Sequence, residues 1–496
     1  MPGAVSESNV QQRAPDHRRT KIIATIGPAT DADGVLEAVL AAGVDVVRIN
    51  FSHGSPDAHR ERVRRVRAFC ESRQCHIGVL GDLQGPKIRI ERFAGGPVFL
   101  EEGALFVLDT RLAPDAGTAE RVGVAYKQLP DDVRPGDVLL LDDGRLVLDV
   151  EQVSRDEIAT RVRVGGPLSD SKGINRFGGG LSAPSLTDKD RADIELAAEL
   201  GVDYLAVSFP RDAEDVREAR LLLRSAGGTG GIIAKIERPE ALEVVEEIII
   251  ASDGIMIARG DLGVEIGDAE LPAVQKRLIH KARTLNRVAI TATQMMESMI
   301  HSPIPTRAEV FDVANAVLDG TDAVMLSAET ATGEYPVEVV KAMGRICRAA
   351  EAQPVATRSD HRIHTRFQRV DEAIAMATMY TANHLGVRAI AALTESGSTP
   401  LWMSRISSGI PIYALTRHVH TSRKVTLYRG VYPANMQTVH TSHAQANRDA
   451  IELLKERGVV QDGDLVIITK GDLMGVDGGT NAMKIVRVGE LVDAEQ

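Results

Sequence analysis

Cysteine is scarce in this chain. Cys70, Cys75 and Cys347 are the only three in 496 residues, which excludes a disulfide framework or a paired zinc motif and fits a reducing cytoplasm. No apolar run approaches the roughly 18 residues that a membrane span requires. The first 19 residues have no apolar stretch at all. They carry Pro2, Gly3 and Pro15 as breakers and Glu7, Arg13, Asp16, Arg18 and Arg19 as charges, so they read as a disordered tail and not as a signal peptide. Positive charge is in deficit. A formal net charge of −11 argues against a general nucleic-acid binder, so anionic ligands must be met by local cationic sites.

The length exceeds one ordinary core and implies two to four domains, and shares of 44% hydrophobic and 26% charged residues are those of a soluble globular protein. Eight short β-rich runs occur, at Lys21–Ile26, Asp45–Asn50, Ile77–Asp82, Asp203–Ser208, Ile232–Ile236, Gly254–Ala258, Arg287–Thr293 and Ala323–Ser327. Most are followed by a helix-period segment such as Asp57–Ser72 or Ala213–Ser225. Strands alternating with helices predict a parallel sheet, and eight such units predict a (β/α)₈ barrel, whose chemistry sits at the carboxyl ends of the strands. Arg48, Asn50, Asp82, Ser208, Lys235, Glu237, Asp261, Thr293 and Glu329 all fall there.

The third and fourth runs are separated by more than 100 residues, too many for a loop. That stretch holds short alternating runs broken by Pro135-Gly136, Asp143-Gly144 and Gly165-Gly166, which predicts a small β-barrel inserted as a lid. After a polar connection at Gln353–His364, helix and strand alternate again from about Val370, as in a separate doubly wound α/β domain. The expected division is a tail at 1–19, the barrel at 20–87 and 184–350, the lid at 88–183 and the C-terminal domain at 351–496.

Two stretches carry the chemistry. Ala234-Lys235-Ile236-Glu237 and Ala258-Arg259-Gly260-Asp261-Leu262-Gly263 each close an apolar run and set one lysine and two carboxylates at successive strand ends. Two carboxylates can hold Mg²⁺, which keeps waters and takes substrate oxygens at its other positions. A lysine beside that ion can neutralise a phosphoryl group in transfer. A plain salt bridge at a strand end is the alternative for any one of these residues taken alone.

These motifs, with Thr20-Lys21-Ile22-Ile23-Ala24-Thr25-Ile26-Gly27-Pro28, Arg48-Ile49-Asn50-Phe51-Ser52-His53-Gly54, Thr291-Ala292-Thr293-Gln294-Met295-Met296-Glu297-Ser298-Met299 and Pro305-Thr306-Arg307-Ala308-Glu309, resemble those of pyruvate kinase, in order and over nearly the whole chain. The resemblance implies transfer of a phosphoryl group from phosphoenolpyruvate to ADP in glycolysis, by a cytoplasmic homotetramer that uses Mg²⁺, for which Mn²⁺ can substitute. It implies that Glu237 and Asp261 hold the metal, that Lys235 bridges the moving phosphoryl group and that Arg48 pairs with the phosphate. The backbone from Arg259 through Gly260 to Asp261 would begin a helix and receive the substrate carboxylate. Thr293, with Ser327 and Glu329 nearby, would help deliver a proton to the enolate. Thr25, Pro28, Asn50, His53 and Arg89 would border ADP, with Lys172 and Asp143 reaching it from the lid.

Departures from the family pattern matter as much. The segment Asp82-Leu83-Gln84-Gly85-Pro86-Lys87-Ile88-Arg89 has Leu83 and Lys87 where many members carry a threonine and a glutamate and need K⁺. Lys87 is therefore expected to act as an internal cation for a vestigial site at Asn50, Ser52, Asp82 and Leu83, leaving K⁺ unnecessary. In the C-terminal domain, the loop of Thr394, Glu395, Ser396, Gly397, Ser398 and Thr399 matches the family's effector-phosphate loop, a nest of hydroxyls and N–H groups. Lys470-Gly471-Asp472-Leu473-Met474-Gly475 lacks the family's clamp for a second phosphate, so a sugar monophosphate or AMP is the expected activator. Phe311 stands where the family commonly has a small residue. Two rival readings are a barrel enzyme making or breaking carbon–carbon bonds in 2-oxo acids, and a silent metabolite-binding homologue. The second would have lost Lys235, Glu237, Asp261 or Arg48, and all four are present.

Overall fold

The computed structural model describes residues 18–357, 366–436, 443–472 and 478–490. Eight parallel strands, Lys21–Thr25, Val46–Asn50, Gly78–Asp82, Tyr204–Val207, Gly231–Ile236, Gly254–Ala258, Val288–Ala292 and Ala323–Leu326, close into a barrel in chain order, the first pairing with the last. Alternation along each strand divides its side chains between two surfaces. Ile23, Val46, Leu80, Tyr204, Ile233, Met256, Ile290 and Met325 fill the interior. Ile22, Ala24, Val47 and Ile49 join Leu36, Val39, Val66 and Leu278 in the cluster beneath the helices. The helices start where caps dictate. The Asp212 carboxylate accepts the Glu214 and Asp215 N–H groups, and Thr306 and Glu309 cap each other reciprocally.

The interior cluster runs on into Ala375, Met379, Val425, Leu427 and Tyr428 of the C-terminal domain. Tyr204 and Lys21, at the amino ends of their strands, donate to the carbonyls of Lys424 and Val431, at 2.7 and 2.6 Å. The C-terminal domain thus plugs the amino end of the barrel and leaves the carboxyl end as the mouth. Its own sheet runs Val431–Asn435, Ile412–Thr416, Ala389–Leu393, Leu465–Gly471, Thr480–Arg487, with only the last strand antiparallel. Val431–Asn435 escapes a sequence reading because Pro433 lies inside it. The strand sits at the sheet edge, where a missing N–H is tolerated.

The insertion between the third and fourth barrel strands forms a six-stranded sheet in the order Ile174–Arg176, Val138–Leu141, Leu146–Val153, Glu157–Val164, Leu105–Asp109, Arg121–Gly123. The expected small β-barrel is a rolled sheet whose edges meet at the entering segment, Arg89 bridging to Gly173 on one side and Ile90 to Val124 on the other. Ile88, Phe106, Leu139, Leu148, Ile174 and Ala183 belong to its separate core. Its two connections to the barrel run side by side: Ile90 N–H donates to the Lys172 carbonyl and Ile174 N–H to that of Ile88, each at 2.9 Å.

Arg18 and Arg19, expected in a disordered tail, belong to the fold. Arg18 pairs with Asp45, and Arg19, 8% exposed, donates through its backbone to Glu351 at 2.9 Å. The Arg18 side chain fills the Gly43 carbonyl and the Asp45 carboxylate within the barrel, and that of Arg19 fills carbonyls of Glu351, Ala356 and Ser408 at the junction with the C-terminal domain, which charge content alone does not reveal.

Candidate active site

Five barrel strands bring their carboxyl ends into one network. Arg48, on the second strand, donates to Asp82 Oδ2 of the third at 2.6 Å and to Thr25 Oγ1 of the first at 3.1 Å. Lys235, on the fifth, lies 3.3 Å from Asp82 Oδ1, 2.9 Å from Glu237 Oε1 and 2.7 Å from Ser208 Oγ. Burial opposes the lysine's charge, but Asp82 and Glu237 outweigh it and hold the ammonium above its ordinary pKa. Asp82 is likewise kept ionised: burial would raise its pKa, and Lys235 with Arg48 brings it below the usual carboxylate value. Glu237 goes the other way. Burial pushes it up, Lys235 resists, and the negative charge of Asp261 adds to the rise.

That repulsion between Glu237 and Asp261 bears on a divalent cation. A divalent cation shared with Asp261 would relieve the Glu237 carboxylate, and two hard carboxylates are the donors such an ion prefers, so the residues fit Mg²⁺. Among the described residues no three His, Cys, Asp or Glu groups converge on a closed metal cage.

Asp261 lies in the helix Arg259–Ile266, which begins where the sixth strand ends. The Gly260 N–H, expected to face a substrate carboxylate, donates to Thr293 Oγ1 at 2.8 Å. Thr293 has φ +67°, a left-handed conformation that a β-branched residue adopts only under constraint. The constraint is Arg259, whose side chain sequence reasoning left without a role. Its guanidinium donates to the Thr293 carbonyl and to Asp312 Oδ1, both at 2.7 Å. Glu329 accepts the N–H groups of Ser327 at 2.6 Å and Met296 at 3.2 Å, and burial raises its pKa.

Lys87 departs from its expected place. Its ammonium is 3.2 Å from Asp261 Oδ1 and 3.8 Å from Asp143 Oδ1, so its charge lies beside these two carboxylates. The carboxylate of the expected monovalent-cation set is served by Arg48 and Lys235 instead. Leu83 O accepts Ser208 Oγ–H at 2.7 Å, and Asn50 Oδ1 accepts Ser52 N–H at 3.1 Å.

Of the residues expected around ADP, Thr25 is buried under the Arg48 contact, while Pro28 and His53 are exposed at the rim. Arg89 donates to the Ser171 carbonyl at 2.8 Å, and Lys172 pairs with Asp142 at 2.7 Å, both on the lid connections. In the C-terminal loop, Ser396 and Ser398 share a hydrogen bond of 2.9 Å, and Gly397, φ +81°, donates to Thr394 Oγ1 at 2.9 Å. Thr399 does not face the same opening: it is buried and bonded to Thr480 at 2.7 Å. Asp472 pairs with Asn481, while Leu473, Met474 and Gly475 lie outside the described residues. Phe311 is 70% exposed on the helix Arg307–Asp319, and nothing within the chain accounts for it.

Residues 17–340 match the family model described as the pyruvate kinase barrel domain, and residues 372–486 match the one described as the pyruvate kinase alpha/beta domain. A protein named pyruvate kinase II from Salmonella typhimurium is 57% identical over 475 residues, covering 95% of this chain and 99% of its own. Proteins named pyruvate kinase from Haemophilus influenzae, 56% identical over 458 residues, and Geobacillus stearothermophilus, 41% over 482, cover 92% and 96% of this chain and 96% and 81% of their own.

Proposed function

Because this chain belongs to the pyruvate kinase family and is a phosphotransferase, we propose that its barrel mouth moves the phosphoryl group of phosphoenolpyruvate to ADP, yielding pyruvate and ATP in cytoplasmic glycolysis. The observation that carries this reading is the Lys235 ammonium, held charged 2.9 Å from Glu237 with Arg48 and Asp261 in the same network.

Each residue then has a task. Arg48, a planar donor anchored on Asp82, binds the phosphate with its remaining N–H groups. Lys235 follows the phosphoryl group and stabilises the charge on its equatorial oxygens. Glu237 and Asp261 hold Mg²⁺, or Mn²⁺ in its place, which when bound polarises substrate oxygens as a Lewis acid. Thr293, Ser327 and Glu329 serve the opposite face, where the enolate must gain a proton. Thr25, Pro28, Asn50, His53, Arg89 and Lys172 border the nucleotide. Lys87 adds positive charge beside Asp261, and this chain works without K⁺. The Thr394–Thr399 loop takes the phosphate of a monophosphate activator in a homotetramer.

The test is direct. ATP and pyruvate should form from phosphoenolpyruvate and ADP with Mg²⁺ alone, and added K⁺ should raise the rate less than twofold. Activity that appears only with K⁺ would refute the monovalent-cation part, and no ATP under either condition would refute the whole.

A further inference from the structure

Ser208 occupies a place that the tasks above leave unused. It follows the fourth barrel strand, is 1% exposed, and touches two things of different kinds. Its hydroxyl donates to the Leu83 carbonyl at 2.7 Å, and its oxygen accepts from Lys235 Nζ at 2.7 Å. A hydroxyl has one proton. With that proton committed to Leu83, only lone pairs face the lysine, so the direction of the Lys235 N–H is fixed by the serine.

The lysine's other neighbours differ in kind. Glu237 and Asp82 attract its charge, yet Asp82 Oδ1 has no hydrogen-bond donor although it is buried. The ammonium is therefore balanced between carboxylates by a neutral acceptor. Without that acceptor it would settle more deeply onto Asp82, whose Oδ1 lies 3.3 Å away with no hydrogen-bond donor, and would be less able to travel with a phosphoryl group.

The serine is also fixed from the lid side. Leu83 and Gly85 lie on the segment that leaves the barrel for the lid. Gly85 has φ +67°, and a β-carbon there would come within 2.6 Å of Ser208 Cβ. The next residue, Phe209, has φ +53° and gives its N–H to Glu237 Oε2 at 2.8 Å. One strained turn thus orients Lys235 through a side chain and Glu237 through the backbone.

We propose that Ser208 is a positioning residue for phosphoryl transfer, aiming the Lys235 ammonium and tying that aim to the chain segment that leads into the lid. The inference rests on the role given to Lys235 above.

Ser208→Ala, Ser208→Thr and Lys235→Met are compared with the unmodified enzyme under saturating ADP and Mg²⁺. Ser208→Ala should lower kcat roughly ten- to a hundredfold, the loss expected for one hydrogen bond to a charged group, while KM for phosphoenolpyruvate changes less than threefold. Ser208→Thr, which keeps the hydroxyl, should recover most of kcat. A general packing defect would lower thermal stability and would be worsened, not rescued, by the bulkier threonine. If Lys235→Met is inactive while Ser208→Ala turns over normally, the positioning role is overturned and the site reading stands. If Lys235→Met itself turns over normally, the site reading falls first and this inference with it.

Discussion

The Arg405 guanidinium grips the Asp322 carboxylate with both outer nitrogens, each side chain 1% exposed, across the junction between the C-terminal domain and the base of the last barrel strand. Asp322 also accepts the N–H groups of Ala289 and Arg429 at 2.9 and 3.1 Å, so it joins two barrel strands to that domain. Arg405→Met should leave an uncompensated buried carboxylate and destabilise the protein by about 3 kcal/mol or more, read as a fall in the thermal midpoint. Adding Asp322→Asn should restore part of the loss. A single variant as stable as the parent would mean that the junction does not depend on this pair.

Catalysis should depend on Lys235 far more than stability does. Lys235→Met removes charge stabilisation of about 3–4 kcal/mol from the transition state, a fall of roughly 10²–10³ in turnover. Circular dichroism should stay near the parent value, and the thermal midpoint should fall only modestly, because Arg48 still pairs with Asp82 and the Phe209 N–H still serves Glu237.

Glu265 predicts a pH dependence. Burial pushes its carboxyl up to about 7, against the hydrogen bond from Asn175 at 2.9 Å and the charge of Arg238, with Glu240 and Asp261 adding to the rise. The folded state therefore holds a proton that the unfolded state has already released. Its stabilising contribution is complete below about pH 4.5 and is lost as pH rises through 7, a swing of about 3 kcal/mol. Glu265→Gln should flatten the stability profile across that window, since it stays neutral throughout. Superimposable profiles would show that the carboxyl titrates normally.

Lys87→Glu should cut activity at least tenfold and raise the Mg²⁺ concentration for half-maximal rate or abolish its saturation. It replaces a cation 3.2 Å from Asp261 with a second anion. Unchanged metal saturation would show that Lys87 acts elsewhere.

A monophosphate should activate more strongly than fructose 1,6-bisphosphate, because Asp472 offers a second phosphate repulsion and no bidentate donor. Activation should appear as tighter phosphoenolpyruvate binding, and Ser396→Asp should remove it. Saturation curves with each effector decide the matter.

Much of this was legible in the residues. Gly254–Ala258 is a continuous apolar run between a Ser-Asp turn and a helix start, so periodicity and composition agree, and the strand has those limits. Lys235, Glu237 and Asp261 stand at strand ends, where the fold itself implies a shared mouth. Val431–Asn435 was hidden by Pro433. Lys87 was expected among the Asn50–Asp82 oxygens, but a long flexible side chain follows the nearest carboxylates, and those belong to Asp261 and Asp143. Ser208 is visible as a strand-end serine. Its link to Leu83 and Lys235 is not, because 125 and 27 residues separate it from those partners and no sequence period relates them.

The paired connections of the lid, Ile88 beside Ile174, have one more consequence. The insertion leaves and returns through a single doorway and supplies no strand to the ring of eight. In loop-closure terms the barrel experiences it as a short hairpin, whatever the length beyond the doorway. Such an arrangement lets the lid be exchanged, enlarged or trimmed as a cassette while the ring beneath keeps its register.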